Sequence, residues 1–445
     1  MGTRQRWRSS TESEGETGMN TIIELLGQNS KVSDYKIDVH KKESYELFFV
    51  KGKLETVRIT DTCDKEVTVY VDHGEFKGDS QFFVYPSTDE AQLAELIQEA
   101  VDKALLINNK YYEIPAAEQG EYVVESNFAD YEAAELAAKI AQGVFGANQV
   151  ENGSLNSVEI FINKHVETIA NSKGLHKTQV RYDAMVEAIP TYNGPEQSVE
   201  LYEQYNFSNL DEEALVAEIA GKMAEVKARY EAIKPESLPA CSVILNVEEL
   251  SGLIMRIASN LNYSAVYSHS NLFSKGDVVQ KDPKGDLINI TMTGEAKGCV
   301  SSTKFDGDGL SLGSVELVRD GQVVNYYGSN RFGQYLGEEP TGSMTCINVA
   351  PGTVLAEEFA GGPYLEIISM SGLQVDFYND YIGGEVRLAY YHDGEKITPV
   401  TGISISGKLG EVLDGIRLSK EVSVYNGYAG YHGPEKAILT GMAIF

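Results

Sequence analysis

The sequence predicts an α+β protein in which an N-terminal antiparallel sheet with covering helices is followed by a C-terminal β-rich domain with few helices. The first observation is period-two alternation between residues 35 and 85, where Tyr35, Ile37 and Val39 alternate with polar residues, as in a half-buried strand. The second is the density of Gly and Tyr after residue 260, together with hairpin signals at Asp320-Gly321 and Asp393-Gly394. Strands in both halves with helices between them favour this class.

Helical patterns cover the first sheet. Ser87 and Glu90 have the spacing of a capping box and precede an apolar stripe that begins at Leu93. Further helices are predicted over 130–142, after residue 209, and over 408–418. Pro235 and Pro239 cannot continue the helix that begins after residue 209. We therefore divide the chain into a polar extension (1–18, expected to be disordered), an α+β domain (19–235) and a β-rich domain (236–445).

The net charge and the cysteines limit which molecules the protein can bind and where in the cell it is expected. The 37 Lys and Arg against 66 Asp and Glu give a formal charge of −29, which repels nucleic-acid phosphates and anionic lipid. No apolar run reaches the roughly 18 residues of a membrane span. The four cysteines form no CxxC pair, as expected for reduced thiols. We expect a cytoplasmic protein that binds neither nucleic acid nor membrane.

The stretch 241–261 is the place where chemistry is expected. A short apolar strand runs into a helix with Leu250, Ile254 and Ile257 on one face, and such a junction commonly carries metal ligands or a nucleophile. No His or Cys follows the strand at this junction. None of the seven histidines is spaced from another as a helical zinc pair requires.

A second candidate is the segment FDGDGLSL. Asp306 and Asp308 have the spacing of the first two ligands of a calcium loop, but the twelfth position is Leu317 where a bidentate Glu is required. A tight turn stabilised by Asp side chains is the favoured interpretation. An alternative is a nonstandard metal or acid/base site formed by Asp306, Asp308 and His432.

The order of segments after Cys241 resembles the TldD/PmbA family, whose members were once described as modulators of DNA gyrase. The segments that carry the resemblance are SVILNVEELSGLI, FDGDGLSLGSVELVRDGQVVNYY, the Pro340-Thr341-Gly342 region, LEIISMSGLQVDFYNDYIGGEV and ISISGKLGEVLDGI. In that family the TldD-like subunit resembles a zinc peptidase with an H-E-x-x-x-H helix and a Cys near the carboxyl terminus as third ligand. Zinc there would activate water and polarise a peptide carbonyl.

The resemblance implies that this chain has lost the zinc motif. Aligning Gly252-Leu253 with the residues that follow the motif places Asn246 at the first His, Val247 at the Glu and Ser251 at the second His, and His432 lies near the expected Cys. A catalytic zinc normally takes three protein ligands. The departure matches the PmbA/TldE-like branch, so we expect no catalytic residue, metal or cofactor in this chain and zinc only in a TldD-like partner.

The sequence leaves three hypotheses for the function of this chain. The first is a non-catalytic subunit of a TldD/PmbA metallopeptidase complex that degrades or processes unfolded peptides, as a heterodimer with a TldD-like subunit. The second is a self-sufficient hydrolase that uses the nonstandard carboxylate and His site. The third is a homodimeric peptide-binding protein. Direct action on DNA gyrase is disfavoured by the charge.

Overall fold

The first half of the chain is built on one long sheet. The computed structural model describes residues 13–147, 150–358, 362–427 and 429–445. The strand order is β3-β2-β1-β5-β6-β4, with β7 and β8 pairing with β6, and only the β4–β6 pair is parallel. These strands are β1 (Asp34–Val50), β2 (Lys53–His73), β3 (Phe76–Val84), β4 (Gln119–Val123), β5 (Gly153–Asn171), β6 (His176–Asn193), β7 (Ser198–Glu200) and β8 (Glu203–Phe207).

Four helices of the described residues pack against one face of this sheet. They are α1 (Ser13–Gln28), α2 (Glu90–Ala104), α3 (Ala133–Gly146) and α4 (Glu212–Glu231). The stripe of α2 packs against β1 and β2 in one apolar cluster, and α3 and α4 pack against β5 and β6 in another. The face is apolar because alternate strand residues such as Ile37, Val67 and Ile160 point toward the helices.

Two local predictions for this half differ from the structure. The helix α1 already begins at Ser13, so the predicted boundary between residues 18 and 19 falls inside it, and residues 1–12 lie outside the described part of the chain. The capping box of α2 is formed by Asp89 and Gln92, whereas Ser87 and Glu90 were expected. An Asp with Gln three residues later forms the same reciprocal pair of bonds, so the motif is right in kind and wrong by two residues.

The second half contains two sheets. One has the order β12-β11-β10-β13-β21-β20, and the other has β19-β22-β9-β14-β16-β18-β23 with β15 and β17 added to β16. The strands are β9 (Ser242–Leu245), β10 (Ile290–Thr293), β11 (Ser314–Arg319), β12 (Gln322–Val323), β13 (Cys346–Val349), β14 (Tyr364–Met370), β15 (Gln374–Asp376), β16 (Tyr381–His392), β17 (Ile397–Val400), β18 (Ile403–Lys408), β19 (Arg417–Leu418), β20 (Val422–Asn426), β21 (Gly430–Pro434), β22 (Ala437–Leu439) and β23 (Ala443–Ile444).

Four helices accompany these sheets in the described residues, namely α5 (Val247–Asn260), α6 (Tyr263–Tyr267), α7 (Asn330–Leu336) and α8 (Leu409–Gly415). The helix α5 and both sheets contribute to one core, in which Leu253, Ile254 and Ile257 are fully buried. The two Asp-Gly pairs lie in strand connections, with Asp320 and Gly321 both at positive φ. The predicted α+β class with a β-rich second half is confirmed.

The connection between the halves runs from the end of α4 at Glu231 to the start of β9 at Ser242, and it contains the predicted boundary at residues 235 and 236. Within the described residues, no helix has the length and apolarity that crossing a membrane requires.

Candidate functional site

The strand-to-helix junction predicted from the sequence is formed by β9 and α5. Asn246 is the N-cap residue of α5, and its Oδ1 accepts a hydrogen bond from the backbone N–H of Glu249 at 3.0 Å. Its Nδ2 donates to the carbonyl oxygen of Ile368, on β14, at 2.8 Å. Both ends of the amide are therefore used to start the helix and to tie it to the neighbouring strand.

The other two positions aligned with the zinc motif also serve the helix. Val247 packs against the main core and offers no donor atom. The Oγ of Ser251 donates to the backbone carbonyl of Glu248 at 2.7 Å, a bond within the same helix. An engaged amide, an isopropyl group and a hydroxyl bonded to its own helix do not fit a catalytic zinc ion, which takes imidazole, thiolate or carboxylate ligands.

One carboxyl group at this junction, that of Glu249, has a raised pKa. Glu249 is 7% exposed, and burial together with the negative charge of Glu248 raises its pKa to about 7. Backbone N–H groups of Leu373 and Met370 partly oppose this rise by bonding to the carboxylate. Glu249 is thus a titratable group next to the three positions aligned with the zinc motif, none of which carries a metal-binding side chain.

His432 lies on the opposite face of its sheet from this junction. It is opposite Val424 in the pairing of β20 and β21, whereas its neighbour Tyr431 is opposite Tyr425. The hydroxyl of Tyr425 interacts with Glu248 on α5, and Tyr431 is buried in the core. Because side chains alternate along a strand, His432 points away from α5 and lines a separate depression with Lys297 and Glu295.

The alternative site of Asp306, Asp308 and His432 is not formed. The carboxylate of Asp306 accepts hydrogen bonds from the backbone N–H groups of Asp308, Leu310 and Ser343 at 2.8–3.0 Å, which is the turn-stabilising role. Asp306 lines the interdomain cleft described below, in a different concavity from His432. The hypothesis of a metal or acid/base site built from these three residues is therefore wrong.

A cleft of about 800 Å³ lies between the two halves of the chain. One wall is the sheet face that carries no helices, where β1, β5 and β6 present polar side chains. The other wall comprises the loop 300–307 with residues 343, 345, 426 and 427 of the second half. Its ionisable lining is acidic, with Asp38, Glu167, Asp183 and Asp306 against the single guanidinium of Arg181, beside His40.

Hydrogen bonds across the cleft floor fix the two halves relative to each other. Lys177 on β6 is fully buried, and its Nζ donates to the carbonyl of Gly309 and to Ser311 Oγ, both at 2.8 Å. The same ammonium lies 2.6 Å from a carboxylate oxygen of Glu118, and this contact lowers the pKa of Glu118. Gln179 Oε1 accepts from the backbone N–H of Lys304 at 2.9 Å.

Sequence reasoning missed a cluster on this cleft wall. His40, His165 and Glu167 each offer a metal-ligating atom, and these atoms lie within 4.8 Å of one another. The histidines are 125 residues apart in the sequence, so no spacing rule reveals them. The available signal was the alternation of His165 and Glu167, which places both on one face of β5, a strand that extends beyond residue 163.

The fold and the junction define a class of protein with an α+β scaffold, a β-rich second half, and a strand-to-helix junction whose aligned positions lack zinc ligands. Residues 239–443 match the family model for the PmbA/TldA metallopeptidase C-terminal domain. The chain is 24% identical over 297 residues to a Haemophilus influenzae protein named metalloprotease PmbA homolog, and the match spans 63% of each chain. The chain thus aligns with less than two thirds of that relative's length.

Solved structures share the fold over nearly the whole chain. TldE from Thermococcus kodakarensis superposes with a TM-score of 0.78 at 14% identity, covering 96% of this chain and 99% of TldE. A candidate modulator of a DNA gyrase from Thermotoga maritima superposes with a TM-score of 0.73 at 15% identity, covering 97% of this chain and 100% of the other. The second half of the chain therefore matches the PmbA/TldD family, and the resemblance expected from the sequence is confirmed.

Proposed function

We propose that this chain is a non-catalytic, PmbA/TldE-like subunit of a cytosolic TldD/PmbA-type metallopeptidase complex that degrades or processes unfolded peptides. The observation that carries the proposal is the junction of β9 and α5. There Asn246 and Ser251 bond to backbone groups at the positions where a zinc peptidase of this family is expected to hold its metal. Zinc and the water it activates then belong to a TldD-like partner.

The contribution of this chain would be to hold extended peptide. The strand β20 stands at the end of its sheet in the order of the described strands, and it lies between α5 and the cleft, which Asn426 lines. An extended peptide adds to such an edge through backbone hydrogen bonds that do not depend on sequence. The acidic lining of the cleft supports a preference for peptides rich in Lys and Arg.

The experiment compares three preparations on an unfolded cationic peptide with zinc present: this chain alone, a TldD-like partner alone, and their mixture. We expect no cleavage by this chain alone and cleavage by the mixture. Replacing the motif histidines of the partner should abolish that cleavage. Size-exclusion chromatography of the same samples should show a heterodimer, and a homodimer that ignores the partner would support the peptide-binding alternative instead.

A control variant tests whether the junction of β9 and α5 takes part in peptide cleavage. Ser251→Ala removes only a bond to the backbone of α5, so the mixture should keep its full peptidase activity. The proposal is overturned if this chain alone cleaves the peptide in the presence of zinc. It is also overturned if Ser251→Ala reduces the cleavage rate of the mixture tenfold without changing assembly.

A further inference from the structure

The face of the N-terminal sheet that lines the cleft carries two hydrogen-bonded imidazoles. His40 Nε2 lies 2.9 Å from His165 Nδ1, the ring centroids are 5.2 Å apart, and the ring planes differ by 8°. The rings are therefore nearly coplanar and meet edge to edge, with one proton shared between the two nitrogens. Glu167 completes the group, with Oε1 3.8 Å from His40 Nε2.

We propose that His40, His165 and Glu167 form a binding site for a divalent transition-metal ion of the zinc type. Two imidazoles and one carboxylate are a common zinc ligand set, and three protein ligands leave a fourth position for water or a ligand in the cleft. This site is separate from the junction of β9 and α5, and it goes beyond the proposed function because it does not require the chain to hydrolyse peptides.

The distances suit such an ion after small side-chain adjustments. Ligand atoms about 2.1 Å from a tetrahedral zinc lie about 3.4 Å from each other. The observed separations of 2.9 Å and 3.8 Å lie on either side of that value. The side chain of His40 is 39% exposed at the cleft, so its ring has room to tilt, whereas His165 is held at 8% exposure.

The side chain next to His165 favours the tautomer in which Nδ1 has a lone pair for a metal. His165 Nε2 lies 2.6 Å from Asp183 Oδ2, a close contact whose angle is not that of a hydrogen bond. A carboxylate at this distance favours the tautomer with the ring proton on Nε2, which leaves a lone pair on Nδ1, the atom that faces His40 and Glu167. A carboxylate that orients a metal-binding histidine in this way is a recurrent feature of zinc sites.

The charges around the three side chains are of both signs. Glu167 and Asp64 act on His40 with negative charge, and Arg181 and His165 oppose them. Arg181 donates two bonds to Glu167 Oε1 at 2.8 and 3.0 Å, and Gln179 donates to Oε2 at 2.7 Å. These bonds fix the carboxylate, and because Oε1 already accepts both Arg181 bonds, a metal would bind Oε2 or displace one of them. Metal binding would replace the proton shared by the imidazoles, with the His40 proton moving to Nδ1.

The test measures zinc and cobalt binding to the isolated chain by equilibrium dialysis at micromolar free metal with millimolar Mg²⁺ present. Excess Mg²⁺ occupies sites made only of carboxylates, because imidazole ligands select the transition metals. We expect one ion per chain, and four-coordinate Co²⁺ should give intense visible absorption. His40→Gln should weaken binding more than tenfold, and Asp183→Asn should weaken it about tenfold to a hundredfold, because it removes the carboxylate beside His165.

His432→Gln is the matched control, since His432 lies in a separate depression and should leave binding unchanged. Circular dichroism and thermal unfolding of each variant confirm that it is folded, and the partly exposed His40 makes His40→Gln the primary variant. The absence of zinc or cobalt binding would overturn the proposal, as would binding that survives His40→Gln. Neither result bears on the proposed function, whose test reads peptide cleavage and assembly with a partner.

Discussion

Replacing Glu249 with Gln should stabilise the protein above neutral pH. Glu249 has a folded-state pKa of about 7 because it is buried beside Glu248, whereas a glutamate side chain in water has a pKa of 4.5. A carboxyl group whose pKa is raised on folding binds its proton more tightly in the folded state. Its contribution to stability is therefore fully present below pH 4.5 and is lost as the pH rises through 7.

The magnitude follows from the shift. A rise from 4.5 to about 7 corresponds to about 3 kcal/mol of folding free energy lost by pH 8. Glutamine carries no charge but offers one acceptor oxygen, so it loses about 1 kcal/mol of the bonding to Leu373 and Met370. Glu249→Gln should thus be about 2 kcal/mol more stable than the parent at pH 8, with no such gain at pH 4.5.

The assay is urea unfolding of parent and variant at several values between pH 4.5 and 8, with the difference in unfolding free energy plotted against pH. Glu75→Gln, at an exposed position, serves as the control and should give a flat difference. The reasoning is that burial without a cationic partner raises the pKa of Glu249. It would be refuted if the difference in unfolding free energy for Glu249→Gln did not change with pH, or if the variant were less stable at every pH.

Two further substitutions test contacts that position the cleft and the junction. Lys177→Met should cost about 2–4 kcal/mol in urea unfolding, because it removes the buried ammonium that bonds to Gly309 and Ser311. Lys139→Met, which breaks an exposed pair with Glu212, should cost clearly less, and equal losses would contradict this. Asn246→Ala should cost about 1–2 kcal/mol by the same measurement. Asn246→Ser, which keeps a capping oxygen without setting a carboxylate against the carbonyl of Ile368, should cost less, and the reverse order would exclude the capping role.

Local patterns in the sequence predicted local structure well. The alternation from Tyr35 onward gives β1, the apolar stripe after residue 247 gives α5, and the Asp320-Gly321 pair gives the turn between β11 and β12. Each of these signals is contained within a few neighbouring residues, so the physics that produces the element is visible in the sequence. The two-residue error in the capping box of α2 arose because Ser87 and Asp89 are both competent caps and only packing selects one.

At the junction of β9 and α5, the sequence indicated the position of Asn246 but not the role of its side chain. Asn246 was predicted to lie where a zinc ligand is absent, and the structure adds what the residue does instead. Asn is among the preferred N-cap residues, so its side chain satisfies a backbone N–H of α5 that a histidine ligand would leave to other partners. In this chain the side chain of Asn246 therefore stabilises the first turn of α5 directly.

The cleft cluster was not accessible from the sequence, because it depends on strand register. His40 is opposite Glu167 in the pairing of β1 and β5, and His165 is opposite Arg181 in the pairing of β5 and β6. A slip of one residue in either pairing would turn a side chain to the helix-covered face and disperse the group. The apolar residues of that other face, among them Val39, hold the register because they must remain buried under the helices. The same packing that determines the sheet thus brings His40 to Glu167, and the proposed metal site needs no additional element to assemble it.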